Sequence, residues 1–204
     1  MAIADVKEYT HLNPDEVEQI GRELDAIRTE IEESRGESDA AYINRLIKIQ
    51  RGLAAAGRVT LMAGTQSSRT RKPAIALGVA FLALHKILEN MEIGHNVMHG
   101  QWDWMNDPEI HSTSWEWDVT GPSAHWKQTH NYIHHKYTNV LGMDDDVGYG
   151  LLRVTRDQRW KPFNTGNLLY NTLLALFFEY GIAAQHLELG KVAKGRVPHR
   201  PLTP

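Results

Sequence analysis

The chain has 204 residues, of which 42% are hydrophobic and 23% are charged, a composition typical of one folded domain and unlike that of disordered or fibrous proteins. Its formal net charge of −3 lacks the positive excess of a nucleic-acid-binding protein, so no nucleic-acid partner is expected. The absence of cysteine excludes disulfides, thiolate metal sites and thiol nucleophiles, whereas the 11 histidines stand out.

Residues 1–57 carry 12 acidic and seven basic side chains and predict a soluble, acidic helical arm. A helix is predicted to start at Pro14 after the capping residue Asn13, because apolar residues then recur every three or four positions. Gly36 interrupts this pattern, and a second amphipathic helix is predicted to end at Gly57. Both helices are expected to pack through their apolar faces, and neither shows residues arranged for chemistry.

Two apolar stretches lie in the remainder of the sequence. Each is preceded by basic residues and ends in polar residues. The first covers residues 73–94 and, if helical from Ala74 to His99, would be about 39 Å long, enough to cross most of a bilayer. The second covers residues 167–187. Basic side chains precede both stretches, which favours a cytoplasmic position for those ends. Core helices of a soluble protein are the alternative.

All six tryptophans lie at or between positions 102 and 160, between the two stretches, where they suit either a membrane interface or an aromatic core. The final residues, 191–204, predict an extended basic loop. Together these features predict an all-α, membrane-associated protein with amphipathic N-terminal helices and two apolar helices that carry the histidine motifs.

The first histidine motif is the pair His95 and His99, whose four-residue spacing places two imidazoles about 40° apart on one helix face, where both could bind one metal ion. A zinc-protease motif is excluded, because Asn96 stands where the catalytic glutamate would be needed. Glu92 with His95 would also suit a soluble di-iron bundle, but that fold needs a second such pair on a core helix.

The second motif contains His130, His134 and His135, which repeat the four-residue pair and add a third imidazole about 100° further round a helix. Packing explains such a group poorly, because a buried neutral imidazole needs a hydrogen-bond partner for each nitrogen. A solvated histidine face or an adventitious metal tract is the alternative. Asp103 and the acidic run 144–146 could orient the ligands, although a solvated turn is the favoured interpretation of 144–146.

The segments ENMEIGHNVMHGQWDWM and HNYIHHKYTNVLGMDDDVGYG closely resemble the first two histidine boxes of the membrane fatty-acid desaturases, especially the bacterial acyl-CoA and acyl-lipid branch. The resemblance covers about residues 40–190 and makes residues 58–204 a partial desaturase domain. It implies a histidine-ligated di-iron centre that uses O2 and two electrons to place a double bond in an acyl chain. The implied iron ligands, with a further candidate in the second apolar stretch, are His95, His99, His130, His134, His135 and His186.

The chemistry of these residue types agrees with the resemblance. Breaking an unactivated methylene C–H bond needs an oxidant that no side chain supplies, and neutral imidazole suits iron. The resemblance further implies an acyl-CoA or lipid acyl chain as substrate and a ferredoxin-, rubredoxin- or cytochrome-type electron donor with its reductase. It places the protein in the bacterial cytoplasmic membrane, with the histidine boxes facing the cytoplasm.

A third box, HxxHH or QxxHH, belongs to the family pattern, whereas His134-His135 is the only adjacent histidine pair in this sequence. Five or six histidines barely supply two irons, since even a minimal site takes about three protein ligands for each metal. The expectation is therefore the N-terminal part of a desaturase, truncated or split, that depends on a C-terminal partner segment. The alternatives are a related histidine-box hydroxylase and a non-catalytic metal-binding remnant.

Overall fold

The computed structural model of the chain describes residues 10–64, 66–192 and 195. Within these residues all regular structure is helical and no β-strand occurs, which confirms the predicted all-α class. The predicted loop over 191–204 lies almost wholly outside the described residues, and its first two positions instead close a short helix.

The chain divides into two compact units, Met1–Arg45 and Leu46–Pro204. This division falls inside a continuous helix, because the residues on both sides of it share one run of helical backbone, Glu37–Gly64. The predicted division between residues 57 and 58 falls inside the same helix. The histidine motifs all belong to the second unit.

The described residues form two long helices, two helices that each contain a π-helical segment, and three shorter helices. In chain order these are α1 (Pro14–Ser34), α2 (Glu37–Gly64), α3 (Arg71–Met98), α4 (123–137), α5 (Asn167–Leu176), α6 (Phe178–His186) and α7 (Leu189–Val192). Short 3-10 turns occupy Asp103–Met105, Gly148–Gly150 and Pro162–Gly166.

Helix α1 begins where the sequence predicts. The Asn13 side chain accepts the backbone N–H of Glu16 at 2.9 Å, and the Glu16 carboxylate accepts the backbone N–H of Asn13 at 2.8 Å, a reciprocal capping box. The expected packing of its apolar face is wrong, because no residue of α1 is buried. The apolar side chains that are 44–60% exposed are Ile20, Leu24, Ile27 and Ile31.

Helix α2 runs seven residues beyond its predicted end at Gly57 and stops at Gly64. Gly57 instead lies where α2 crosses α3. A Cβ atom at Gly57 would lie 2.8 Å from the side chain of Leu82 and 3.1 Å from the carbonyl oxygen of Gly78. Because two helix backbones approach this closely only through small residues, Gly57 serves packing between helices and does not end one.

Helix α3 confirms the predicted first apolar helix, with the segment Leu88–Gly94 wound as a π-helix. Within the described residues α3 is the one helix whose length and composition would allow it to cross a membrane. The second apolar stretch, 167–187, is not one helix. It breaks at Phe177, where φ is −118°, into α5 and α6.

The connection between α3 and α4, residues 99–122, is tied down at the start of α4 and to α6. The Glu116 carboxylate accepts the backbone N–H and the hydroxyl of Ser123 at 3.0 and 2.7 Å, which caps the N-terminal end of α4. The Glu179 carboxylate accepts the backbone N–H of Thr120 at 2.9 Å. These contacts link the connecting segment to α4 and to α6.

Candidate metal centre

The two histidine motifs, 30 residues apart along the chain, meet in space. His95 and His99 at the end of α3 face His130, His134 and His135 of α4. The ring centroids of His95 and His99 each lie 5.3 Å from that of His130, and those of His99 and His135 are 4.7 Å apart. His134 stacks on His130 at 4.8 Å. The five box histidines therefore form one cluster.

A π-helical segment, Lys127–His134, brings the third imidazole of the second motif into this cluster. The backbone N–H of His135 donates to the carbonyl of His130, five residues back. In an α-helix His135 would lie about 140° round from His130, whereas the π pattern stacks residues five apart on one face. The two ring centroids are 5.0 Å apart.

The ring nitrogens at the centre of the cluster converge. Nε2 of His95 and Nε2 of His99 are 3.0 Å apart, and one ring nitrogen from each of His95, His99 and His130 lies within 4.8 Å of the others. Burial, followed by the charges of four neighbouring imidazoles, lowers the pKa of His99 to about 4. His99 is therefore neutral near pH 7, the state in which imidazole binds metals. This donor set fits a transition metal such as iron.

Carboxylates hold the outer nitrogens of the second motif. Nδ1 of His130 donates to Asp146 at 3.0 Å, and Nδ1 of His134 donates to Asp144 at 3.0 Å. Burial raises the pKa of Asp146, but the hydrogen bond from His130 and the nearby imidazoles outweigh it, and the pKa lies below its ordinary value. Because an ionised carboxylate can only accept, both Nδ1 atoms carry a proton, and Nε2 is the atom of each ring that could bind a metal.

The solvated-turn interpretation of 144–146 is wrong. Asp144 is 4% exposed, and besides His134 it accepts the backbone N–H of Asn139 at 2.8 Å. The acidic run folds back along α4, a placement that the sequence does not signal. Asp103 is engaged elsewhere, since it accepts the backbone N–H and the hydroxyl of Ser112 at 2.7 and 2.6 Å.

Three further residues support the cluster and were missed by sequence reasoning. Gln185 of α6 donates to Asp146 at 3.0 Å, and Asn131 of α4 donates to a backbone carbonyl near the end of α3 at 2.8 Å. Trp126, 5% exposed, stacks on His130 with a centroid distance of 4.5 Å. The nearest sequence signal was the position of Trp126 four residues before His130, on the same helix face.

His186 has a different position. It is buried on α6 and lines a cavity beside His95 and His130. Its nitrogens, like those of His135, belong to neither group of close ligand atoms, but the ring of His135 contacts those of His99, His130 and His134. The second such group, His130 with His134 and Asp146, is the hydrogen-bonded set described above. The structure thus brings five of the six predicted ligands together and leaves His186 at the edge of the cluster.

A cavity of about 350 Å³ opens beside the histidine cluster. His95, His130 and His186 form one part of its wall, and most of the remainder is apolar or aromatic. Such a lining suits a hydrocarbon chain more than a polar ligand. Its apolar and aromatic residues are Ile87, Met91, Trp117, Val119, Trp126, Tyr149, Phe178 and Ile182.

Comparison with known proteins agrees with the site. The fatty acid desaturase family matches residues 72–200, which include both histidine motifs. Two strains of Mycobacterium tuberculosis, CDC 1551 / Oshkosh and H37Rv, have an NADPH-dependent stearoyl-CoA 9-desaturase that is 61% identical over 196 residues. The match covers 96% of this chain and 45% of those relatives, so the chain spans a little under half their length.

A more distant relative is the sn-1 linoleoyl-lipid 6-desaturase of Synechocystis, 33% identical over 89 residues, which are 42% of this chain and 24% of that protein. No solved structure matches the chain significantly. The family match covers more than half of the sequence and the whole cluster described above. The resemblance drawn from the two histidine boxes is therefore confirmed, and the chain belongs to the fatty acid desaturase family.

Proposed function

We propose that this chain provides two histidine boxes of an iron-dependent fatty-acid desaturase. The observation that carries the proposal is the convergence of the imidazole nitrogens of four box histidines, with the ring of His135 against them and two Nδ1 atoms held by carboxylates. Binding of two irons is proposed through the box histidines, with a sixth ligand from α6. These ligands are His95, His99, His130, His134, His135 and His186.

The histidine cluster and the cavity beside it would have separate roles in the desaturation reaction. Iron bound with O2 would supply the oxidising power that a methylene C–H bond demands. The carboxylates of Asp144 and Asp146 would orient His134 and His130 through their Nδ1 atoms, so that the Nε2 atoms are the ones available to a metal. The apolar cavity would hold an acyl chain against this cluster and exclude water from it.

The names of the relatives support the proposed substrate class, and the redox partners are proposed from the resemblance to the family. An acyl-CoA is the favoured substrate, because the mycobacterial relatives are named for stearoyl-CoA, with a lipid-linked acyl chain as the second candidate. Two electrons would come from a ferredoxin-, rubredoxin- or cytochrome-type donor and its reductase. We place the protein in the bacterial cytoplasmic membrane through α3, with the boxes on the cytoplasmic side.

The ligand count requires help from another segment. Two irons need about six protein ligands at minimum, and five of the candidates lie in the cluster while His186 lies at its edge. We propose that a C-terminal partner segment with an HxxHH box completes the centre. A non-catalytic metal-binding protein is the competing interpretation. Iron content distinguishes it from a desaturase only when desaturase activity is measured as well.

Iron content of the purified chain tests the site. His130→Ala and His134→Ala should each lower iron affinity by about 10- to 100-fold or more, because no neighbouring group replaces a lost ligand. His111→Ala is the matched control, since His111 lies outside the cluster and its ring contacts Thr113. His186→Ala tests the sixth ligand separately. Unchanged iron content in the His130 and His134 variants would contradict the proposal.

A further inference from the structure

Helix α1 has an apolar seam that follows a strict heptad pattern. Its apolar residues are spaced by three, four, three and four positions, as in helices that wind around one another. We define the α1 seam as Val17, Ile20, Leu24, Ile27 and Ile31. A coiled coil uses this narrow stripe, whereas packing on a globular core uses a broader face.

The seam is uncovered in the described part of the chain, where four of its five side chains are at least 44% exposed. A membrane surface is a poor partner for it. Helices that lie on membranes carry lysine and arginine on the polar face, whereas α1 has eight acidic residues and two arginines. Anionic lipid would repel this helix, so the exposed seam favours a protein partner.

The charges that flank the seam are complementary to a second copy of α1 in parallel orientation. Glu23 and Glu30 lie on one side of the seam, and Arg28 lies on the other, five residues after Glu23. Arg35, five residues after Glu30, follows directly after the last residue of the helix. In a parallel pair, these positions meet across the interface as Glu–Arg pairs. In an antiparallel pair, glutamate would face glutamate. Self-association in parallel is therefore the arrangement that the charges favour.

We propose that copies of this chain associate through the α1 seam as a parallel coiled coil. Isoleucine at both fourth heptad positions, Ile20 and Ile27, favours three strands over two. Two heptads form a weak coil in dilute solution, but a protein confined to a membrane meets its copies at a raised effective concentration. The association rests on the membrane location proposed above but not on the metal centre or the enzymatic activity.

The chain lacks cysteine, so single cysteines report contacts directly. In the full chain reconstituted in phosphatidylcholine vesicles, Ile31→Cys places a thiol in the seam near one end. Mild oxidation should give disulfide-linked pairs in a parallel coil, because residue 31 then faces residue 31 of the other copy. Ala26→Cys, on the opposite face of α1, is the matched control and should give about fivefold less cross-linking or lower.

Charge changes in the Ile31→Cys chain test the flanking pairs. Arg28→Glu should lower cross-linking about three- to fivefold by placing glutamate opposite Glu23, and adding Glu23→Arg should restore it. Arg22→Glu is the control. This substitution also removes an ion pair within α1, between Arg22 and Glu18 at 2.8 Å, but Arg22 points away from the seam. Arg28 itself pairs with Glu32 at 2.9 Å within the helix, an exposed contact that it can exchange.

Three results would overturn the proposal. Equal cross-linking at positions 31 and 26 would exclude a specific seam. Cross-linking between Val17→Cys and Ile31→Cys chains in place of 31 with 31 would show an antiparallel pair. Protection of the residue 31 thiol from a water-soluble reagent only when vesicles are present, without cross-linking, would assign the seam to the lipid surface.

Discussion

The carboxylates behind the second histidine motif should be as important for metal binding as the histidines themselves. Asp144→Asn and Asp146→Asn each keep the shape of the side chain but place an amide where an ionised acceptor now holds an imidazole Nδ1–H. We expect iron affinity to fall about 10- to 100-fold in each variant. Metal titration of the purified full chain measures it.

Asp145→Asn is the internal control for these variants. Asp145 lies between the two supporting carboxylates but is exposed. The same change in charge there should leave iron affinity within about twofold of the original chain, since surface substitutions seldom matter. Equal losses in all three variants would indicate a general effect of negative charge and not the orientation of His130 and His134.

Asp103 should make folding stability depend on pH. Burial raises the pKa of Asp103, but hydrogen bonds from Ser112, with His111 and Lys127 nearby, outweigh it, so the pKa lies below its ordinary value. A carboxyl whose pKa is depressed by folding stabilises the protein fully above its unfolded pKa, about 3.9, and loses this contribution as the pH falls through the folded pKa.

Asp103→Asn should therefore lower the unfolding temperature near pH 7 and have a shrinking effect as the pH drops below about 4. Tryptophan fluorescence during heating, at several values between about pH 3 and pH 7, measures this difference. A difference between the two proteins that stays constant across the range would show that Asp103 acts through packing and not through its charge.

Among the helices, the crossing of α2 and α3 should tolerate no side chain at its glycines. A Cβ at Gly64 would lie 1.8 Å from the Cβ of Ala74, which cannot rotate away. Gly64→Ala should therefore push the helices apart and cost about 1–3 kcal/mol in the free energy of unfolding. Thermal unfolding in detergent compares the variant with the parent chain.

Gly52→Ala provides the contrast on the same helix. No other atom lies within 4 Å of a Cβ at Gly52, so alanine there should stabilise α2 by up to about 1 kcal/mol through helix propensity alone. If both alanines stabilise the protein, the close crossing of α2 and α3 is not a feature of the folded chain in solution.

Local patterns predicted the helices well where neighbouring residues decide the structure. The cap at Asn13 and the continuous helix that ends in His95 and His99 follow from near neighbours alone. Gly57 was misread as the end of a helix, because a glycine that permits helix crossing looks in sequence like one that stops a helix. The break at Phe177 has no glycine or proline to mark it.

In the candidate site, too, the features set by near neighbours in sequence were predictable and the long-range contacts were not. The box histidines are recognisable because their spacing within each helix is itself the signal. Asp144, Asp146 and Gln185 reach the cluster through a loop and through α6, and such long-range contacts leave no periodic trace in the sequence. Exposed acidic turns are common, so the sequence alone favours a solvated turn at 144–146.

At the scale of the whole molecule, we expect the chain alone to lack desaturase activity. The ligand count leaves too few donors for two irons. Expression in bacteria that lack their own desaturase should yield no unsaturated acyl chains from this chain by itself. Co-expression with a separate segment that contains an HxxHH box should yield them, as measured by gas chromatography of total fatty acids.

The other possible products of this expression experiment would each support a different interpretation of the chain. Unsaturated product from the chain alone would show that His186 or nearby carboxylates complete the centre. Hydroxylated acyl chains in place of unsaturated ones would identify the related hydroxylase. Iron bound without product in either arrangement would support a non-catalytic metal-binding protein.

The two π-helical segments also limit how sequences of this kind can change in length. Deleting one residue between His130 and His134 would let the segment rewind as an α-helix and would shorten both histidine spacings by one, so that His135 would take the position four residues after His130 and His134 would lose it. The turns between α3 and α4 have no such register, and added residues there cost little in chain entropy. Insertions and deletions should therefore accumulate between the histidine boxes and be eliminated within them.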